Sequence, residues 1–145
     1  MIALIQRVLD ASVRIRGETV AAIGPGVLAL VAVRRGDTQA DALRLTERLL
    51  AYRVFADGEG RMNRSVRDVS GGLLLVPQFT LAADTNKGTR AGFSTAADPE
   101  DARRLFGFFI ECARAAYPSV SAGVFGEHMQ VTLVNDGPVT FWLET

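Results

Sequence analysis

The chain has 145 residues, 48% of them hydrophobic, and its 16 basic residues balance 16 acidic ones. This length and composition predict a single domain over 1–145 with a packed core, and they exclude a disordered chain. The zero net charge argues against a protein that holds long nucleic acid through many phosphate contacts, but it allows a short contact with one end of an RNA.

Strands are predicted throughout the first quarter of the chain. Ala3–Val8 alternates weakly and Ala11–Arg16 alternates strictly between apolar and polar residues, as strands with one buried face do. Gly17-Glu18 turns the second strand into a third at Thr19–Ile23, which makes a hairpin. Val27–Val33 is a short, continuous apolar run, which predicts a strand buried on both faces.

The first helix is predicted by its capping residues. Thr38 is a suitable N-cap and Asp41 an acidic residue of the first turn, so a helix should run from about Gln39 to Ala51. Tyr52–Phe55 is predicted to be another strand. The polar segment 62–68 indicates neither helix nor strand.

The next segment contains a buried strand, a long connection and the second helix. Leu73–Val76 is predicted to be a buried strand that runs into Pro77–Leu81. The connection Ala82–Ala97 is polar at its centre, and loops of this length are often functional. Asp98-Pro99 is typical of a helix start, and the apolar stripe that follows predicts a helix to about Ala116.

Turn residues separate the last two predicted strands. Val120–Val124 is a candidate short strand, and Met129–Asn135 and Val139–Leu143 follow it with strand patterns. The residues 135–138, Asn-Asp-Gly-Pro, predict a connection between these strands, although a backbone in an unusual conformation is the alternative. The order of elements predicts an α/β protein with mixed sheets and two helices on one side.

The ends and the cysteine content indicate the compartment. No basic segment followed by a long apolar stretch opens the sequence, and no run reaches the 18 apolar residues of a membrane span. Cys112 is the only cysteine, which excludes an intrachain disulfide and is typical of a reducing environment. We therefore expect a cytoplasmic protein that does not contact a membrane.

Few side chains are candidates for catalysis. Cys112 shares the apolar face of the second helix and is interpreted as an inert core thiol. His128 is the only histidine, so a histidine-based metal site is excluded, and its position indicates a polar residue at the entry of a strand. Thr80 is either structural or a nucleophile without a base nearby in sequence. No metal or cofactor site is predicted.

Two basic residues in the long connection have two interpretations. Lys87 and Arg90 are either solvated charges or contacts to RNA phosphates. Composition and pattern by themselves do not distinguish an enzyme from a binding module.

Two short segments resemble the signature segments of the bacterial and eukaryotic D-aminoacyl-tRNA deacylases. They are Pro77-Gln78-Phe79-Thr80-Leu81 and Asn135-Asp136-Gly137-Pro138-Val139-Thr140. Their order and spacing match the family, and the likeness runs along essentially the whole chain. It includes Ala3-Leu-Ile-Gln-Arg-Val8, Ala11-Ser-Val13, Met62-Asn63, Ala83-Asp84-Thr85, Lys87-Gly88 and Met129-Gln-Val131.

The resemblance implies a fold, an activity and an assembly. The fold would be a compact, barrel-like set of mixed β-sheets with two helices packed on the outside, in three layers. The activity would be hydrolysis of the ester between a D-amino acid, or glycine, and the terminal adenosine of tRNA. The assembly would be a homodimer, and neither a cofactor nor a metal would be needed.

The resemblance also implies roles for single residues. Gln78, Phe79 and Thr80 would line the pocket, and the backbone N–H groups of Phe79 and Thr80 would stabilise the developing oxyanion. The ribose 2′-hydroxyl of the substrate would assist in place of a protein nucleophile.

The remaining roles concern binding of the substrate and its handedness. The Gly137-Pro138 bond would be cis and would reach across the dimer, where its carbonyls capture the amino group and exclude an L side chain. Arg7 would hold this motif in place, and Met129 would pack near the adenine. Phe93 and Asn135 are further expected binding residues.

Two departures from the family pattern bear on specificity. The family usually has Ser where this chain has Pro77, and its Arg-Pro-Ser-Phe loop reads Arg90-Ala91-Gly92-Phe93 here. A sister branch that removes L-alanine from threonine tRNA has Pro at the first position, Ala in place of Phe79, and a trans Gly-Pro bond. Phe79 favours the D-specific branch, while editing of L-alanine and a non-catalytic RNA-end-binding module are the alternatives.

Overall fold

The computed structural model describes residues 1–86 and 88–145, so the predicted alternatives for Lys87 lie outside the described residues. None of the described helices is long and apolar enough to cross a membrane. The elements are β1 (Ile2–Ile15), β2 (Glu18–Ile23), β3 (Gly26–Ala32), α1 (Gln39–Ala51), β4 (Phe55–Ala56), β5 (Met62–Arg64), β6 (Gly72–Pro77), a 3₁₀ helix (Phe79–Ala82), α2 (Pro99–Ala116), β7 (Val120–Ala122) and β8 (Gln130–Glu144).

The long strand β1 is the centre of the main sheet. One edge pairs with β3 through Ile2–Val8 and with β2 through Ala11–Ile15, while the other edge pairs with β8. The prediction of two separate strands in this segment was wrong. Leu9 interrupts the alternation because the register shifts between Val8 and Asp10, but pairing with β8 continues on both sides of this bulge.

The rest of the sheet curls into a nearly closed barrel. Its strand order is β2-β1-β3-β6-β7, in which β3, β6 and β7 are parallel neighbours. β2 folds back over the far end of the sheet, where the Ser121 hydroxyl donates to the Ala22 carbonyl at 3.3 Å. The expected barrel-like mixed sheet with two helices is therefore confirmed.

Two glycines allow the closest approach within the barrel. A Cβ atom on Gly26 would collide with the backbone carbonyl of Gly72 in the neighbouring strand. A Cβ atom on Gly72 would lie 2.7 Å from the Cβ of Ile23. Any side chain at either position would separate β3, β6 and β2, so the curvature requires glycine at both.

The core lies on both faces of the central strands. Val27, Ala29 and Val31 of β3 belong to the cluster beneath the helices, whereas Leu28 belongs to the cluster inside the barrel. This alternation confirms the predicted strand with two buried faces. Both helices cover the same side, which produces three layers: helices, sheet and the strands opposite.

Capping residues define the predicted bounds of both helices. α1 begins after Thr38, whose backbone N–H and hydroxyl each donate to the Asp41 carboxylate at 2.8 Å. α2 begins after Asp98, although this side chain forms no cap hydrogen bond. Tyr117 ends α2, and its hydroxyl donates to the buried carbonyl of Gly71 at 2.5 Å.

The predicted strand Tyr52–Phe55 was wrong. Tyr52 is the C-terminal cap of α1, and the strand instead comprises Phe55–Ala56, paired with Met62–Arg64. Polar residues stabilise this ribbon, because the Asp57 carboxylate accepts hydrogen bonds from the backbone of Glu59 and Arg61 and from the side chain of Asn63, at 2.8–2.9 Å. These bonds, that from Asn63 above all, lower the pKa of Asp57.

The predicted hairpin at the end of the chain was also wrong. Residues 130–135 and 140–144 both pair antiparallel with β1, so β8 continues in one direction instead of reversing. The four residues 136–139 stand opposite the single residue Arg7 and form what we call the Gly-Pro bulge. β1 is long enough to pair with both halves, so the turn residues add length to one strand instead of closing a hairpin.

Candidate active site

A cavity of about 440 Å³ opens where β6 ends. Three segments surround it: the end of β6 with the residues after it, the first turn of α2, and the loop that leads into β8. Its lining residues are Val76, Pro77, Gln78, Phe79, Ala97, Pro99, Ala102, Phe125, Gly126, Glu127, His128, Met129 and Val131. The cavity therefore contains three of the predicted site residues, Gln78, Phe79 and Met129.

The chain turns sharply after Pro77, and this turn exposes the next two residues. The Gln78 N–H donates to the Val31 carbonyl at 2.7 Å, which ends the pairing with β3. Pro77 faces the other side, where β7 has already ended at Ala122, so its missing N–H removes no described sheet bond. The Gln78 side chain donates to the Thr80 hydroxyl at 2.5 Å.

Two backbone donors at this turn are unpaired within the described part of the chain. The first hydrogen bond of the 3₁₀ helix runs from the N–H of Leu81 to the carbonyl of Gln78. The N–H groups of Phe79 and Thr80 precede it and have no acceptor in residues 1–86 and 88–145. Such donors are available to an oxyanion or another acceptor at the cavity.

An exposed aromatic pair lies beside the turn. The side chains of Phe79 and Phe93 are 57% and 44% exposed, and their ring centroids are 5.1 Å apart. A long connection brings Phe93 to Phe79, because Asp84 and Gly92 pair their backbones at 2.8 and 2.9 Å. Exposed aromatic rings are surfaces on which nucleobases stack.

Met129 lies in the cavity lining at the entry to β8. It packs against the cluster inside the barrel, and its Sδ would be 2.8 Å from a Cβ atom on Gly123. The absence of a side chain at Gly123 therefore leaves room for the Met129 thioether. His128 is the exposed residue beside it and also lines the cavity, beyond the role of a strand-entry residue that its position predicted.

Arg7 contacts the Gly-Pro bulge. Its Nη1 donates to the Val54 carbonyl at 2.6 Å, and its Nε lies 3.0 Å from the Asp136 carboxylate, at ion-pair distance but without hydrogen-bond geometry. A Cβ atom on Gly137 would be 2.7 Å from Nη2. Arg7 is therefore a half-buried residue packed under the bulge and not a strand-end charge in solvent.

Asn135 joins the two ends of the bulge. Its side-chain amide donates to the carbonyls of Arg7 and Val139, at 2.9 and 3.1 Å, while its oxygen accepts from the Thr140 hydroxyl at 3.3 Å. These bonds connect residues at both ends of the Gly-Pro bulge with the strand opposite it. The protrusion of Gly137 and Pro138, both exposed, is thereby held in one shape.

The implied cis bond is absent from this structure. Every peptide bond in the described residues is trans, including Gly137-Pro138, and Gly137 adopts a φ of +115°. The trans isomer is the more stable form of an X–Pro bond by about 0.5–1 kcal/mol. In this structure the positive φ of Gly137 makes the bend.

The Gly-Pro bulge does not line the cavity of its own chain. Pro77 is level with Val31 and Ala3 across the sheet, whereas the bulge is level with Arg7. Four residues along β1 and three strand spacings across the sheet correspond to roughly 13 Å and roughly 14 Å over its surface. The two resembling segments are therefore separate features within one chain.

Some residues around the site were missed by sequence reasoning. Phe125 and Gly126 line the cavity, Arg103 contacts both of them, and Val54 accepts the hydrogen bond of Arg7. An aromatic residue between glycines in a short connection is a weak signal for a functional loop. Val54 has no such signal, because the contact uses its backbone.

The only cysteine, Cys112, lies on α2 outside the cavity lining. Burial, and secondarily Glu111, raises the pKa of the Cys112 thiol on α2, which keeps it protonated and agrees with an inert side chain. Cys112 is half-buried. Within 1–86 and 88–145, no three His, Cys, Asp or Glu residues are grouped as metal ligands would be.

Comparisons with known proteins identify the family. The model of the family described as D-Tyr-tRNA(Tyr) deacylase matches residues 4–144. The chain is 62% identical to the D-aminoacyl-tRNA deacylase of Thioalkalivibrio sulfidiphilus (strain HL-EbGR7), over 99% of this chain and 97% of that protein. It is 61% identical to the protein of that name from Cupriavidus metallidurans, over 99% and 95% of the two chains.

Solved structures share the fold over the full length. The c-Myc DNA Unwinding Element Binding Protein superposes with a TM-score of 0.95 at 38% identity, covering 100% of this chain and 99% of that one. A probable eukaryotic D-amino acid tRNA deacylase superposes with a TM-score of 0.86, covering 99% and 98%, and at 16% identity this likeness concerns the fold alone. Since the family model and the relatives span nearly the whole sequence, the chain belongs to the D-Tyr-tRNA(Tyr) deacylase family.

Proposed function

We propose that this chain hydrolyses the ester bond of D-aminoacyl-tRNA and of glycyl-tRNA, releasing the free amino acid and tRNA. The observation that carries the proposal is the pair of unpaired backbone N–H groups at Phe79 and Thr80, at the edge of a cavity large enough for an aminoacyl-adenosine end. Family membership supports the same chemistry.

The backbone donors supply the main catalytic effect. Attack of water on the ester carbonyl places a negative charge on its oxygen, and preorganised N–H groups stabilise that charge. Removal of one such donor typically lowers the rate about 10²–10³-fold. No buried positive side chain is needed, because a fixed amide dipole costs no reorganisation during the reaction.

The Thr80 side chain has no base beside it in the described chain that would activate it as a nucleophile. The Thr80 hydroxyl accepts a hydrogen bond from the Gln78 amide, and an amide nitrogen is not a base that can activate it. Gln78 and Thr80 therefore orient each other and the backbone between them. The ribose 2′-hydroxyl of the substrate is the assisting group, and no metal or cofactor takes part.

The two ends of the substrate meet different parts of the cavity. Met129, in the cavity lining at the entry to β8, packs against the adenine of the terminal adenosine, and the Phe79–Phe93 pair is a further stacking surface for the same 3′ end. Because the protein binds only the short 3′ end of the tRNA, it contacts few phosphates, and a net charge of zero is compatible with this binding. The reaction takes place in the cytoplasm.

A second copy of the chain supplies the selection for handedness. The outer edge of β8 has no partner strand in the described chain, and Leu9, Val134 and Trp142 beside it are 51%, 47% and 47% exposed. An unpaired strand edge with exposed apolar side chains is a site of association. In a homodimer, the Gly-Pro bulge of one copy enters the cavity of the other, where its backbone atoms hold the amino group and exclude an L side chain.

Editing of L-alanine on threonine tRNA is the second candidate. Pro77 and the trans Gly137-Pro138 bond match what the resemblance implies for that branch, while Phe79 matches the D-specific one. Pro77 and Phe79 both line the cavity, but the family model and the similar proteins are named for D-specific hydrolysis, so we rank that activity first. A non-catalytic RNA-end-binding module would have no use for both resembling segments.

One substrate panel tests these functions. The protein, dialysed against a strong chelator, is incubated with D-tyrosyl-tRNA, L-tyrosyl-tRNA, glycyl-tRNA and L-alanyl-tRNA(Thr), and loss of each ester is followed. We expect rapid loss of the D-tyrosyl and glycyl esters and persistence of L-tyrosyl-tRNA. Preferential loss of L-alanine would favour the second candidate, and no hydrolysis of any ester would leave only the binding module.

A further inference from the structure

One wall of the cavity has little backbone structure of its own. It comprises residues 125–129, which we call the Phe125 wall, and all five of its residues line the cavity. Within the described chain, the backbone of this connection forms one backbone–backbone hydrogen bond, a long one from the N–H of Glu127 to the carbonyl of Val124 at 3.4 Å. Something outside the loop must therefore hold the wall in position.

Arg103 of α2 makes three contacts with this wall. Its Nη1 donates to the Phe125 carbonyl at 3.3 Å, and its guanidinium carbon lies 5.1 Å from the centroid of the Phe125 ring. Its Nη2 would be 3.0 Å from a Cβ atom on Gly126, which has a φ of +83°. The Phe106 ring packs on Phe125 at a centroid distance of 6.2 Å.

These contacts are the described interactions of the Arg103 guanidinium. It is an exposed arginine, and within the described chain it has no carboxylate partner, whereas the adjacent Arg104 pairs with Asp101 at 2.8 Å. Its neighbour Ala102 lines the cavity, so α2 presents Arg103 at the cavity margin. An arginine placed in this way connects the helix to the loop through a carbonyl, an aromatic face and a glycine.

We propose that Arg103 is a positioning residue that sets the Phe125 wall, and through it Met129, for binding of the terminal adenosine. The inference rests on the proposed deacylase function and adds a determinant of substrate affinity outside the two resembling segments. Arg103 acts through the wall and has no contact with the reacting ester. Its loss should weaken binding of substrate and transition state equally, which raises KM and leaves kcat nearly unchanged.

Arginine variants and kinetics test the proposal. Arg103→Ala should raise KM for D-tyrosyl-tRNA roughly 5- to 30-fold, the combined effect of a lost cation–π contact and a lost charged hydrogen bond. Arg103→Lys keeps a cation and a donor but loses the planar guanidinium, so its KM should lie between those of the wild type and Arg103→Ala. Arg104→Ala is the matched control. It removes a positive charge from the next residue of α2, whose side chain pairs with Asp101.

Salt dependence separates positioning from a direct phosphate contact. A lost phosphate contact would reduce the salt dependence of binding, by roughly one in the slope of log affinity against log salt. We expect the KM ratio of Arg103→Ala to wild type to be the same at low and high salt. A ratio that shrinks at high salt, an equal effect of Arg104→Ala, or a fall in kcat without a change in KM would each overturn the proposal.

A spectroscopic measurement keeps the test independent of activity. The chain has three methionines, so the Met129 ε-methyl resonance can be assigned by substitution. Arg103→Ala should shift or broaden this resonance and Arg104→Ala should not; an unchanged resonance would contradict the proposal. If the wild type hydrolyses none of the esters, the proposed function fails, while the methyl spectra still decide whether Arg103 holds the wall. If Arg103→Ala does not fold, Arg103→Gln takes its place.

Discussion

The turn after Pro77 is the feature on which the proposed catalysis depends at the residue scale, since it leaves two backbone donors without an acceptor in the described chain. Thr80 lies next to them, and its hydroxyl accepts a hydrogen bond from the Gln78 amide, which is not a base. Thr80→Ala should therefore reduce kcat by less than about tenfold, because loss of a true nucleophile costs several orders of magnitude. Single-turnover hydrolysis of D-tyrosyl-tRNA measures this, and a loss of about 10⁴-fold in a folded variant would make Thr80 the nucleophile.

A pair of substitutions at Phe79 isolates the backbone donor. Phe79 is the first residue of the 3₁₀ helix, where proline fits and where no described acceptor is lost. Phe79→Ala removes the ring and keeps the N–H, whereas Phe79→Pro removes both. The proline variant should be slower than the alanine variant by about 10²–10³-fold in kcat. Equal rates for the two variants would exclude this N–H from the oxyanion site.

Gly137 is predicted to be sensitive to any side chain. Its φ of +115° is unfavourable for other residues, and a Cβ atom would lie 2.7 Å from the Arg7 guanidinium. Gly137→Ala should lower kcat/KM for D-tyrosyl-tRNA at least about tenfold, or admit the L ester, while the strained bulge lowers the free energy of unfolding by about 1–3 kcal/mol and the chain still folds. Gly107→Ala, a helical position with open space, is the control and should keep wild-type kinetics. Wild-type selectivity in Gly137→Ala would exclude the bulge from substrate selection.

At the scale of elements, the start of α1 provides a dependence of stability on pH. The hydrogen bonds from Thr38 lower the pKa of Asp41 in the folded chain, so the stabilisation is present above the ordinary aspartate pKa of about 3.9 and is lost as pH falls through the lower folded value. Asp41→Asn should cost about 0.5–1 kcal/mol at pH 7.

The same variant should approach wild-type stability in acid. Urea unfolding of both proteins at pH 7 and near pH 3 measures the difference, with Asp98→Asn as a control at a cap that forms no side-chain hydrogen bond. A deficit of equal size at both pH values would show that the Asp41 charge is not responsible.

At the scale of the whole molecule, the proposed site is shared between two copies. Co-expression of Phe79→Pro and Gly137→Ala chains with different tags allows the mixed dimer to be purified. One of its two sites then combines an intact cavity with an intact bulge, so activity should return to about half of the wild-type value per dimer. Activity no higher than in the separate variants, or a monomer at every concentration in sedimentation, would contradict the shared site.

Much of the architecture follows from local sequence. α1 and α2 have the predicted bounds because capping residues and apolar stripes act within a few residues of one another. β3 and β6 are apolar runs that can only be buried on both faces. The cavity residues Gln78, Phe79 and Met129 were identified by resemblance, since no periodicity distinguishes them from structural residues.

Contacts between distant residues decided the rest. The residues 136–139 are typical of a hairpin turn, but they form a bulge because β1 is long enough to pair with the strand on both sides of them. Arg7, which is distant in sequence, contacts this bulge. The partner of Arg103 is a carbonyl more than twenty residues away, and Phe55 pairs with Arg64 only because the Asp57 turn closes. Local preference determines which segments become helices and buried strands. Which strand a segment pairs with, and which side chain reaches a loop, depends on the free energy of the whole packed barrel.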